Sequence, residues 1–166
     1  MPNSRILLSL HIIPDPLNIL ELFPPVRTFV FEVDGVLTDG HMLLGTGDIC
    51  LRSFSARDMY ALDKAMRQGY RAGVVVPGAG GLPSVLRELG LFSADGPEAV
   101  PGAGTTLYMG SDLAALDAMQ RCMLPCCPAD AVAEVKAAAR YISPHKGGAG
   151  CVRDVIEKVL KLNGHW

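Results

Sequence analysis

The sequence predicts an α/β domain built on a doubly wound parallel sheet. Short runs rich in β-branched and aromatic residues alternate with longer segments whose apolar residues recur at helical spacing. Glycine or a polar turn follows several of the short runs, as at the carboxyl ends of strands. Strands that alternate with helices in this way form one parallel sheet covered by helices.

The first predicted strand contains Thr28-Phe29-Val30-Phe31 and ends in two acidic residues, Glu32 and Asp34. A spacing of two places both side chains on one face of a strand. Ligands of open α/β sheets bind beyond the carboxyl ends of the strands, so this is where we expect chemistry. For an acidic pair alone, a strand that ends in solvated carboxylates is the better interpretation.

The next elements follow in order along the chain. Residues 41–44 and 48–53 flank Gly45-Thr46-Gly47 and predict a β-hairpin. The apolar spacing then predicts helices over 57–68 and 83–89, with a strand over 71–76 between them. Two prolines and three glycines predict a loop from Phe92 to Gly104. The rest of the sequence, from residue 105, predicts strands over 105–109, 123–127 and 141–142. It also predicts a helix capped by Asp112, a helix capped by Asp130, and a final amphipathic helix that ends at Asn163-Gly164.

Composition narrows the class of protein. The 166 residues are sufficient for one core, and we interpret residues 1–25 as an N-terminal extension and 26–166 as the domain. A net charge of −2 argues against partners such as nucleic acid or an anionic membrane surface. The five cysteines form no C-x-x-C pair, which favours reduced thiols in a cytoplasmic protein. The four histidines do not have the spacing of metal ligands.

Val33-Asp34-Gly35-Val36-Leu37-Thr38-Asp39-Gly40 resembles the first motif of the haloacid dehalogenase-like phosphatases. More narrowly, it is similar to the branch that removes phosphate from 3-deoxy-D-manno-octulosonate (KDO) 8-phosphate. Further motifs that match in order are 53–58, 110–113, 128–131 and 147–150. The resemblance implies a Rossmann-like fold, Mg²⁺, and a β-hairpin flap in place of a cap domain that packs between the subunits of a homotetramer. The fold also resembles the C-terminal module of acylneuraminate cytidylyltransferases.

The resemblance also implies roles for individual residues. The catalytic pair would be Glu32 and Asp34, as nucleophile and general acid–base. The metal ligands would be Glu32, Asp34 and Asp112, with Asp34 binding through its backbone carbonyl oxygen. Substrate-binding positions would be Arg57, which in the family faces the sugar carboxylate, together with Gly78 and Ser111. A glycine-rich loop such as the one around Gly78 can hold phosphate with backbone amides, but a plain turn explains it equally well.

The chain departs from the family pattern at each motif. Glu32 stands where the family has aspartate, which displaces the attacking oxygen by about one carbon–carbon bond, and misplacement by ~1 Å can cost about a hundredfold in rate. Pro77 stands at the hydroxyl position and cannot donate, and no lysine occurs between Lys64 and Lys136. Ser111 replaces one acidic residue of the metal-binding turn, and Ala114 and Ala115 replace a further Asn-Asp pair.

These departures lead to three functional hypotheses. The first is a KDO 8-phosphate phosphatase-like protein with weak or no hydrolase activity, in which Mg²⁺ is weakly held or absent. Such a protein would serve as an oligomeric assembly or binding module, with a sugar-acid or nucleotide-sugar pathway enzyme as a partner. The alternative is an active Mg²⁺-dependent phosphatase that acts on KDO 8-phosphate or a nonulosonate 9-phosphate. The third is a regulatory protein that binds an acidic sugar or nucleotide sugar without turnover.

Overall fold

The computed structural model describes residues 19–47, 50–76, 82–94 and 104–166. Six parallel strands form one sheet in the order β5-β4-β1-β6-β7-β8, and β2 and β3 form a separate hairpin. The strands are β1 (Thr28–Glu32), β2 (Leu43–Leu44), β3 (Cys50–Leu51), β4 (Arg71–Val75), β5 (Phe92–Ser93), β6 (Thr106–Met109), β7 (Leu124–Cys127) and β8 (Tyr141–Ile142). The predicted doubly wound sheet and hairpin are confirmed.

Strand β1 lies in the centre of the sheet and every one of its five residues is buried. Its apolar sequence is the reason, since a strand covered by helices on both faces excludes water from both sets of side chains. Glu32 pairs with Val75 of β4, and Phe31 pairs with Met109 of β6. The carboxyl ends of these three strands therefore meet at one edge.

Helices cover both faces of the sheet. The described helices are α1 (Ala56–Arg67), α2 (Ser84–Glu88), α3 (Leu116–Arg121), α4 (Ala133–Ala138) and α5 (Cys151–Leu162). Helices α1 and α5 pack together over a core with Phe29, Phe31 and Leu62, whereas α3 and α4 cover the other face around Val30 and Tyr108. In α5, six residues of the apolar stripe are fully buried: Cys151, Val152, Val155, Ile156, Val159 and Leu160.

Two predictions about local structure are wrong. The segment that begins at Phe92 forms β5 before the chain enters residues 95–103, which lie outside the described ranges. Strand β5 forms because the Phe92 ring packs on Gly73 of β4, where an added Cβ would lie 2.3 Å from the ring. Asp130 does not cap α4, whose N-cap is Val132 without a side-chain hydrogen bond. Its carboxylate accepts a hydrogen bond from the Gly147 amide instead.

The two ends of the described chain pack onto the domain. Phe23 is fully buried in the core, so the described end of the predicted N-terminal extension contributes to it. At the C-terminus, the Trp166 ring contacts Tyr60 edge-on and lies beneath the cationic groups of Lys64 and Arg153 at 5.2 and 5.4 Å. Within the described ranges, no helix is both long and apolar enough to cross a bilayer.

Candidate active site at the carboxyl edge of the sheet

The site is built on the wide turn Val33–Leu37 that follows β1. The Thr38 amide donates to the Val33 carbonyl at 3.0 Å and closes the turn. Gly35 has φ of 84°, and a Cβ at this position would lie 2.3 Å from the Ser111 Oγ. Only glycine therefore fits between the turn and the segment that follows β6.

Glu32 is 8% exposed and points from β1 towards the end of β6. Its Oε2 accepts hydrogen bonds from the Ser111 amide at 2.8 Å and from the Ser111 hydroxyl at 3.1 Å, and its Oε1 accepts one from the Tyr108 hydroxyl at 3.3 Å. Burial raises the pKa of Glu32 above its ordinary value, and the hydrogen bonds from Ser111 and Tyr108 oppose that effect. Both oxygens of this carboxylate therefore already have donors from the chain itself.

Asp34 forms a bidentate ion pair with Arg52, which follows β3 of the hairpin. The Arg52 Nε donates to Oδ1 at 2.7 Å and Nη2 donates to Oδ2 at 3.1 Å. Each side chain is 19% exposed, so the pair is largely shielded from water. The hydrogen bonds to Asp34 raise the pKa of Arg52 further above its ordinary value. The ion pair connects the hairpin to the site turn.

Ser111 and Asp112 follow β6 and reach the site from that strand, whereas Arg52 reaches it from the hairpin. The Ser111 hydroxyl lies 3.4 Å from the Asp34 carbonyl oxygen as well as 3.1 Å from Glu32 Oε2. Asp112 is exposed, and its Oδ1 accepts a hydrogen bond from the Leu113 amide at 2.7 Å. It caps the short helical turn that leads into α3, and its charge contributes to the raised pKa of Glu32.

The glycine-rich segment 147–150 packs against the site turn of its own chain. A Cβ at Gly147 would lie 2.1 Å from the Gly35 carbonyl oxygen, and the Gly148 amide donates to the Val36 carbonyl at 2.9 Å. Buried Asp58 holds the far end of this segment, because its carboxylate accepts from the Gly150 amide at 3.2 Å and the Arg153 amide at 2.7 Å. Asp58 therefore caps α5 rather than its own helix.

The predicted substrate-binding residues are not all in one place. Ser111 lies in the site, whereas exposed Arg57 lines a groove of about 650 Å³ along α5 with His145, Gly150 and Arg153. Gly78 lies outside the described residues. The predicted catalytic residues Glu32 and Asp34 lie at the same edge, but their carboxylates bind different partners.

Two contributors to the site were not identified from the sequence. Arg52 stands among hairpin residues, and only the register of the hairpin brings it to Asp34. Tyr108 is a buried strand residue whose hydroxyl reaches Glu32 across the β1–β6 pair. The one available signal was position, since Tyr108 lies two residues before the Gly110-Ser111-Asp112 turn.

A parallel sheet whose central strand ends at Glu32, with Asp34 in the glycine-containing turn that follows, is typical of the haloacid dehalogenase-like fold. Comparison with solved structures supports this fold. One similar structure is the KDO 8-phosphate phosphatase of Moraxella catarrhalis in complex with magnesium, phosphate and KDO. The superposition covers 89% of this chain and 92% of that one, with a TM-score of 0.81 and 22% sequence identity. A hypothetical protein of Xanthomonas campestris covers 99% and 94% at TM-score 0.84 and 26% identity.

Sequence comparison confirms the narrower resemblance. The KDO 8-phosphate phosphatase of Yersinia pestis is 28% identical in an alignment that covers 89% of this chain and 88% of that protein. The chain is thus similar to the KDO 8-phosphate phosphatase-like branch of the haloacid dehalogenase-like superfamily. No protein-family model matches the chain.

Such relatives imply a divalent metal ion, but the residues at this edge do not fit one. Mg²⁺ is bound by hard, mostly anionic oxygen ligands in near-octahedral geometry. Of the three predicted ligands, Glu32 accepts three hydrogen bonds, the Asp34 carbonyl oxygen faces the Ser111 hydroxyl at 3.4 Å, and Asp112 caps a backbone turn. Across the described residues, no three His, Cys, Asp or Glu side chains are grouped so that they could hold an ion.

Proposed function

We propose that this chain is a KDO 8-phosphate phosphatase-like protein with weak or no phosphatase activity, retained as a homo-oligomeric assembly or binding module. The observation that carries the proposal is the bidentate ion pair between Asp34 and Arg52. Asp34 occupies the position of the general acid–base. With both oxygens held by a guanidinium, this carboxylate is not placed to exchange a proton with a substrate.

The nucleophile position supports the same conclusion. Glu32 accepts three hydrogen bonds from Ser111 and Tyr108, and these keep its carboxylate directed at β6. A nucleophile must approach phosphorus closely along the line of the leaving group. The sequence also lacks the hydroxyl and the lysine that would stabilise the transferring phosphoryl group, and each such donor contributes ~3 kcal/mol.

A role in assembly draws support from the hairpin. Its exposed apolar side chains are Met42 (51%), Leu43 (70%), Leu44 (77%) and Leu51 (59%). Apolar side chains grouped on one small element are typical of an association surface. The proposed assembly is a tetramer of identical chains in which this surface is covered by another subunit, and sedimentation velocity measures its mass.

A phosphate-release assay tests the proposed loss of activity. The purified protein is incubated with Mg²⁺ and either KDO 8-phosphate or a nonulosonate 9-phosphate, with Glu32→Gln as the matched control. We expect the two proteins to release phosphate at the same background rate. Brisk turnover by the unmodified protein that Glu32→Gln abolishes would contradict the proposal.

The second candidate function is an active Mg²⁺-dependent phosphatase on the same substrates. It is favoured by the retention of two carboxylates, Glu32 and Asp34, at the carboxyl edge of the sheet. The similarity of the chain to phosphatases favours it as well. For this function, Arg52 would have to release Asp34 when substrate binds. Turnover that rises when Arg52 is replaced by methionine would support it.

A further inference from the structure

We propose that Ser111 and Arg52 together take the place of a divalent cation, so that this edge of the sheet binds none. This inference rests on the proposed function, in which the chain no longer needs the ion for catalysis. It goes further because it assigns the loss to two residues and predicts that their replacement creates a metal site.

Ser111 lies between the Glu32 carboxylate and the Asp34 carbonyl oxygen, which are two of the three predicted metal ligands. Its hydroxyl is 3.1 Å from Glu32 Oε2 and 3.4 Å from the Asp34 carbonyl oxygen, and its amide donates to the same Glu32 oxygen at 2.8 Å. A Cβ added at Gly35 would lie 3.0 Å from the Ser111 Cβ, so the serine packs closely against the turn. The hydroxyl supplies hydrogen-bond donation where an acidic residue would supply charge.

Arg52 provides the positive charge. A metal ion at a carboxylate cluster offsets the repulsion between the acidic groups, and removal of that ion leaves the charges unbalanced. Here the guanidinium neutralises Asp34 through two hydrogen bonds at 2.7 and 3.1 Å in a region shielded from water. The remaining charge of Glu32 is met by the Ser111 and Tyr108 donors.

A titration with Mn²⁺ alone tests the inference, because the electron paramagnetic resonance signal of free Mn²⁺ falls when the ion binds. The unmodified protein should show no saturable binding up to about 10 mM, which is roughly ten times the ~1 mM dissociation constant at the weak end of protein sites for hard cations. Ser111→Asp restores a carboxylate beside Glu32, and adding Arg52→Met removes the competing cation. The double variant should bind Mn²⁺ with a dissociation constant below about 1 mM, tenfold below the highest concentration at which the unmodified protein should show no binding.

The matched controls are Ser84→Asp and Arg67→Met, which make the same changes of charge at exposed positions away from this edge. They should leave Mn²⁺ binding unchanged. Saturable binding by the unmodified protein that Glu32→Gln removes would overturn the inference, and so would a folded double variant that gains no binding. If the double variant does not fold, the titration of the unmodified protein still shows whether this edge of the sheet binds Mn²⁺.

The phosphate-release assay separates this inference from the proposed function. Saturable Mn²⁺ binding without turnover would overturn the metal inference and leave the proposed function standing. Glu32-dependent turnover that persists in a chelator would overturn the proposed function while leaving the metal inference intact.

Discussion

The site edge and the junction between α1 and α5 each contain a buried carboxylate, and they differ in what the carboxylate holds. Glu32 accepts from one backbone amide and two hydroxyls, whereas Asp58 accepts from two backbone amides at the start of α5. Burial raises the pKa of both groups, and hydrogen bonds oppose that rise in both. The same electrostatic signature therefore marks a candidate catalytic position and a structural cap.

The comparison shows that a perturbed carboxylate does not by itself identify an active site. Perturbed groups concentrate at functional sites, but structural networks perturb them too. What distinguishes the two regions is the partner. The donors to Asp58 are backbone amides at the start of α5 that need an acceptor, whereas those to Glu32 are mainly the side-chain hydroxyls of Ser111 and Tyr108. Substitutions that weaken each network separately would test this distinction.

The largest effect is expected from Asp58→Ala. This change leaves the Gly150 and Arg153 amides without an acceptor at the buried start of α5. We expect the free energy of unfolding to fall by about 2–3 kcal/mol, as for a lost cap combined with unsatisfied donors. Urea unfolding measures the change, with Asp63→Ala on the exposed side of α1 as the control. A loss no larger than that of the control would show that Asp58 does not stabilise α5.

Arg52→Met should have the next largest effect. The substitution leaves Asp34 without its cation in a region that is only 19% exposed. We expect the free energy of unfolding to fall by about 1–2 kcal/mol, which lies between the losses typical of exposed and of buried ion pairs. A double-mutant cycle with Asp34→Asn isolates the pair, and the coupling should be about 1 kcal/mol. Coupling near zero would mean that the hairpin is held to the turn by other contacts.

Glu32→Gln should change the pH dependence of stability. Because burial raises the pKa of Glu32 in the folded protein, its contribution to stability is fully present below the unfolded value near 4.5 and is lost as pH rises through the folded pKa. The free energy of unfolding of the unmodified protein, relative to the variant, should therefore fall as pH rises above about 4.5. Chemical unfolding of both proteins across this range measures the difference. If the free energy of unfolding of the unmodified protein, relative to the variant, stays constant or increases with pH, the prediction is wrong.

Arg67→Ala should have the smallest effect. Its ion pair with Asp63 spans one turn of α1, and the Arg67 side chain is 77% exposed. Exposed pairs of this kind contribute about 0.3–0.5 kcal/mol, and added salt screens them. Thermal unfolding at low and high salt should show a small loss only at low salt. An effect as large as that of Arg52→Met would remove the contrast between shielded and exposed pairs.

Much of the fold could be predicted from sequence because its signals are local. The apolar stripe of α5, the buried run of β1 and the glycine turn of the hairpin each lie within a dozen residues. Strand β5 was missed because two residues of strand carry almost no periodic signal. It forms through a contact between Phe92 and Gly73 that is distant in sequence.

The candidate site could be predicted less completely. The position of Glu32 and Asp34 at the end of β1 follows from the motif, and the missing phosphate-binding groups were visible in the sequence. The partners were not visible. The pairing of Arg52 with Asp34 spans 18 residues, and the bond from Asp58 to Arg153 spans 95. Such contacts depend on the packed structure and not on local spacing.

The position of Trp166 gives the protein a built-in optical probe. It is the single tryptophan of the chain and lies against Arg153, whose amide is one of the two bound by Asp58. Indole emission shifts to longer wavelength as the ring becomes hydrated. Fluorescence at this one position would therefore follow the opening of the α1–α5 junction without a label, and would respond far less to events confined to the opposite face of the sheet.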